Sequence, residues 1–96
     1  MTLSYFQSYE LHRKQFPPGS IWEDRSMHTV KKLQIIKKNE IPSGQRVYKL
    51  YQGNLNITFK ILDSLCSDPY DMLSTGKYVN WSANYMTTNY KPLTNE

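Results

Sequence analysis

Cysteine is nearly missing from this chain. Cys66 is its one cysteine in 96 residues, so no disulfide can form within it. Small domains of oxidising compartments commonly depend on several such bridges, and a reducing, intracellular setting is therefore expected. No apolar run reaches the roughly 18 residues that a spanning helix needs. The opening residues Met1-Thr2-Leu3-Ser4-Tyr5-Phe6 lack the basic start and long apolar stretch of a secretory signal. Glycine is scarce, at four residues, and no phosphate-cradling loop can be built from it. The two histidines, His12 and His28, are far apart, with no His-x-His or Cys-x-x-Cys pairing, so neither a metal nor a cofactor is expected. Asp63, Asp68 and Asp71 lack calcium-loop spacing. Cys66 has no neighbouring base to activate it, and Glu23 and Asp24 are adjacent residues whose side chains should diverge. An enzyme is not expected; the one catalytic reading left would pair His12 or His28 with a carboxylate.

What the chain does have is tyrosine and a mild positive charge. Eight tyrosines bring the aromatic share to 14%, and each offers contact area with a polar tip. The net charge is +4, compatible with an acidic protein, a nucleic acid or an anionic membrane surface, and also ordinary for a soluble domain. A chain of 96 residues makes one domain with a lean core.

The clearest pattern covers residues 45–62. After Gly53, apolar Leu55, Ile57, Phe59 and Ile61 alternate with polar Asn56, Thr58 and Lys60, the mark of a strand with one buried and one wet face. Gln52-Gly53-Asn54 suits a hairpin turn, so residues 45–52 and 54–62 are expected to pair as a hairpin. Residues 3–15 read as a short helix ended by Phe16-Pro17-Pro18-Gly19, and residues 20–26 as a connector around Trp22. Residues 27–38 fit either a strand or a helix; the Ile35-Ile36 pair favours a strand. Asp68, Pro69 and Gly76 bracket a helix of one or two turns. Val79, Trp81, Ala83 and Tyr85 alternate with polar residues as a last strand over 77–86, and residues 87–96 read as a flexible tail.

These elements predict an α+β fold: a small antiparallel sheet of three to four strands with one or two short helices on one face. Leu33, Ile35, Leu50, Leu55, Ile57, Phe59, Ile61, Val79 and Trp81 are the expected core. The candidate binding residues are Lys31, Lys32, Lys37 and Lys38 around an apolar patch, with Arg46, Tyr48, Lys49 and Tyr51 on the next strand. If the two segments are neighbours, they form one stripe in which lysines meet phosphates and rings stack on bases. The same lysines also serve to blunt a sheet edge. An open edge or a shared apolar patch would also permit a homodimer.

Residues 50–63, Leu-Tyr-Gln-Gly-Asn-Leu-Asn-Ile-Thr-Phe-Lys-Ile-Leu-Asp, resemble a hairpin of rhabdovirus matrix proteins of the vesiculovirus type, with Pro42 a short way upstream. The chain departs from that family in lacking a long basic N-terminal arm and a Pro-Pro-x-Tyr motif. The resemblance implies a matrix-like protein that associates with membrane, nucleocapsid or host factors. From the residues themselves, the leading expectation is a non-enzymatic binding or accessory protein that engages a protein partner through a sheet edge or a Tyr-rich face; a viral or phage origin is what the resemblance would imply. A nucleic-acid binder using the Lys31–Lys38 cluster is the alternative.

Overall fold

Six short strands join into one sheet in the computed structural model, which describes residues 14–50 and 55–93, leaving aside the Lys38 side chain. The strands are β1 (Ile21–Asp24), β2 (Val30–Ile35), β3 (Val47–Lys49), β4 (Asn56–Ser64), β5 (Tyr78–Ser82) and β6 (Tyr90–Pro92). Among the described residues, besides the helical pair Lys14 and Gln15, one α-helix, α1 (Ala83–Asn89), lies between β5 and β6, and a 3-10 turn covers Lys38–Glu40. The order across the sheet is β3-β5-β4-β2-β1-β6. Every pairing is antiparallel except β3 with β5, which is parallel.

The centre of the sheet follows from the alternation in β4. Ile57, Phe59 and Ile61 are buried on one face, opposite Leu33 and Ile35 of β2 and Val79 of β5. Trp22, Val30, Ala83, Met86 and Tyr90 extend this core, and Phe16 stacks on Trp22 with ring centroids 4.5 Å apart. Leu50, Leu55 and Trp81, expected inside, are partly buried against it. Helix α1 packs on β5 and β6 and covers this face. The opposite, outer face carries Glu23, Lys32, Gln34, Lys60, Thr58, Asn80 and Lys91 along four central strands and one edge strand, opposed in register. Thr58 is buried even so, and the 2.8 Å hydrogen bond its hydroxyl accepts from the Asn80 side chain offsets the cost of that burial.

Several expectations need correction. The sheet is mixed and six-stranded, not antiparallel with three to four strands. β1, β3 and β6 have three or four residues each, too few for a period of two to stand out; neighbouring strands recruit them. The hairpin joining residues 45–52 to 54–62 does not form, since β5 lies between β3 and β4. Residues 51–54 themselves lie outside the described residues, as does the expected helix over 3–15 apart from Lys14 and Gln15. The resemblance carried by residues 50–63 thus has no β3–β4 hairpin beside it.

The segment around Trp22 is a strand, because Trp22 finds Leu33 on one side and Pro92 on the other. Residues 68–76 make successive turns and no α-helix: the amides of Asp71 and Ser74 bond the carbonyls three residues back. Gly76 closes them at φ +90, a region open to glycine, where its amide donates to the Ile61 carbonyl. The strand over 77–86 stops at Ser82, whose hydroxyl caps α1 by accepting from the Tyr85 amide. Residues 87–93, expected to fray, complete α1 and β6 instead, with Tyr90 buried.

Candidate functional site

Two features gather chemistry-bearing side chains. The first begins with the paired acids Glu23 and Asp24. A strand sends neighbours to opposite faces, so Glu23 goes outward and Asp24 inward. Both Asp24 oxygens are taken. Oδ1 accepts from the Ser26 amide at 3.0 Å and lies 2.7 Å from His28 Nδ1. Oδ2 accepts from the His28 amide and from Lys31 Nζ, each at 2.9 Å. Burial pushes the Asp24 carboxyl up, but the hydrogen bonds from His28, Lys31 and Ser26 outweigh it and hold the group well below the usual carboxylate range. An ionised carboxylate only accepts, so His28 Nδ1 carries the hydrogen facing it. The His28 ring sits between Tyr90, 5.9 Å away, and Tyr85, 6.0 Å away. Tyr90 donates its hydroxyl to the Val30 carbonyl at 2.9 Å; burial, then Tyr85 and Asp24, push its pKa far up. Burial and the Asp24 charge also raise Tyr85, which lies flat on Trp81 at 3.9 Å.

An aspartate holding an imidazole is two thirds of a nucleophile-activating arrangement. Among the described residues no hydroxyl or thiol bonds the other nitrogen of His28, and no three His, Cys, Asp or Glu side chains converge as a metal site. His12 lies outside the described residues. With each oxygen filled from its own loop or from β2, Asp24 works as a clasp on the β1–β2 connection.

The second feature is the outer face, and here the expected basic stripe comes apart. A register irregularity in β2 around Lys31 turns that residue inward to Asp24 and leaves Lys32 outward. Lys32 faces Glu23 on one side and Asp63 on the other. Lys37 is exposed in the connection after β2, and Lys38 opens the 3-10 turn. Arg46 lies over the Tyr48 ring at 4.8 Å, and Tyr48 packs on the core side of β3. Lys49 is exposed on β3, and Tyr51 lies outside the described residues. Two whole strands, β4 and β5, separate Lys31 and Lys32 from Arg46, Tyr48 and Lys49. The stripe fails because it requires β2 and β3 to be neighbours.

In its place stands a row that the sequence does not advertise. Lys91 of β6, Glu23 of β1, Lys32 of β2 and Asp63 of β4 are partners in turn across the sheet; a second register shift, between Lys32 and Leu33, sets the exposed Asp63 rather than Leu62 opposite Lys32. Their signs alternate, and Lys91 Nζ already meets Glu23 Oε1 at 3.3 Å. These four residues are spread over positions 23–91, so only the strand order brings them into line. Also on β4, Lys60 sits 6.0 Å from the ring of Tyr78 on β5, one strand further along the sheet.

Fold and site together describe a small protein with one mixed sheet, a helix on one face and a polar outer face on the other. No family model, curated protein or solved structure matches the chain. Among the described residues, no helix is long and apolar enough to cross a membrane.

Proposed function

We propose that this chain is a non-enzymatic binding protein that engages a protein partner through the outer face of its sheet. The alternation of Lys91, Glu23, Lys32 and Asp63 is the observation that supports the reading. A surface for a polyanion needs one sign of charge over several residues, whereas interleaved signs suit a protein surface with its own pattern. The sheet edges offer a partner strand little to pair with, since β3 and β6 each have three residues and Pro92 removes a backbone donor from β6.

The test is capture by the immobilised chain with three variants. Lys32→Glu and Glu23→Lys are expected to lose the protein partner. Lys37→Glu, off the outer face, is expected to keep it, and nuclease treatment to change nothing. Equal capture by all three variants would reject the reading.

A nucleic-acid reading keeps one specific support. Lys60 beside Tyr78, with Lys49 on β3, has no carboxylate opposite it in register. If that corner binds single strands, affinity for an oligonucleotide falls steeply with salt and falls further in Lys60→Ala.

A further inference from the structure

We infer that the partner of the outer face is a second copy of this chain, packed sheet on sheet about a two-fold axis that runs parallel to the strands between β1 and β2. The inference rests on the reading of the outer face as the binding surface. Its basis is a symmetry of the charge row. Read from β6 to β4, the row runs Lys91, Glu23, Lys32, Asp63, or plus, minus, plus, minus. A two-fold axis along the strands reverses the order of strands in the facing copy but leaves the row level with itself. Lys91 then faces Asp63 of the second copy, and Glu23 faces its Lys32; the symmetry repeats both pairs. All four residues meet an opposite charge, which makes the row complementary to itself, as an isologous interface requires.

The alternative in-plane axis, running across the strands, sets each residue against its own copy. Lysine would meet lysine and carboxylate would meet carboxylate. The charge pattern therefore selects one of the two ways in which these faces can pack. Adjacent strands lie about 4.8 Å apart, so the four-strand row spans roughly 14 Å. Packed sheets lie about 10 Å apart, a gap that a lysine and a carboxylate reaching toward each other can close. Aligned sheets cross at about −30°, which keeps a row this short near its mate. Beside the row, Ile21 and Gln34 are opposite in register and both half-buried, so the axis also brings Ile21 against Gln34 of the second copy. Exposed ion pairs contribute little each and are screened, so the dimer is weak and salt-sensitive.

Sedimentation of the full chain tests this. Wild type should shift from monomer to dimer as concentration rises at low ionic strength, and return to monomer in high salt. Glu23→Lys and Lys32→Glu each place two like-charge pairs across the axis, and each should raise the dimer dissociation constant about tenfold or more. An equimolar mixture of the two variants should associate at least as well as wild type, because every position of one row then faces an opposite charge on the other. The double variant Glu23→Lys/Lys32→Glu should self-associate again for the same reason. Matching unfolding midpoints show that the variants are folded. A wild-type monomer at every concentration overturns the inference, as does a dimer indifferent to Glu23→Lys or a mixture no tighter than its components. If the chain is monomeric and partner capture still depends on Glu23 and Lys32, self-association falls while the binding surface stands.

Discussion

At the scale of single residues, Asp24 decides the most. Changing it to Asn removes a charge that accepts four hydrogen bonds and leaves Lys31 half-buried without a counter-charge. The expected cost is about 2–3 kcal/mol, read from the urea midpoint at neutral pH. The sign of the pH dependence follows from the lowered Asp24 pKa. The stabilisation is present in full above the unfolded carboxyl pKa near 4 and is lost as pH falls toward the lower folded value. Asp24→Asn should therefore flatten the stability profile between neutral and strongly acid pH, and an unchanged acid slope would show that other carboxylates carry it. Tyr90 works in the opposite direction. Its raised pKa favours the neutral phenol, so its contribution holds below about pH 10 and declines as alkali approaches the folded value. Tyr90→Phe, which deletes only the bond to the Val30 carbonyl, should cost about 1 kcal/mol in the same assay.

At the scale of elements, β4 and β2 form the centre and β6 the test. Phe59 is fully buried between Ile35 and Val79, and Phe59→Ala should cost about 3–5 kcal/mol of unfolding free energy. Removing residues 87–96 takes away the last turn of α1 and all of β6. A loose tail would be lost without effect; here Trp22 and Asp24 lose their strand neighbours and the buried Tyr90 goes. Cooperative unfolding should disappear in that truncation, as followed by near-ultraviolet circular dichroism. The legible part of the sequence was its local periodicity. Leu55 to Ile61 could be read because seven residues alternate and a central strand needs that pattern. Val47-Tyr48-Lys49 could not, since three residues hold no period and their partner is chosen by long-range pairing. Val79 to Tyr85 read as one strand because alternation runs on through Ala83; the capping hydroxyl of Ser82 marks the break.

At the scale of the whole molecule, the proposed binding surface is a property of topology more than of sequence. Lys31 to Lys38 looked like one basic patch because they are near in the chain. A bulge and a strand order divide them between an internal clasp, an alternating row and an exposed connection. Glu23 and Lys91, far apart in the chain, meet at 3.3 Å. With so many long-range strand pairs, refolding after dilution from denaturant is expected in milliseconds to seconds, slower than a helical bundle of this length. A microsecond phase carrying the full change in Trp fluorescence would contradict this. The Tyr90 hydroxyl reaches the Val30 carbonyl across 60 positions of the chain, and β6 lines the far side of β1. During synthesis, then, one edge of β1 must wait unpaired until residues 90–92 have cleared the ribosome. Its safety from misassociation in that interval falls to whatever in the cell shelters a half-made ribbon.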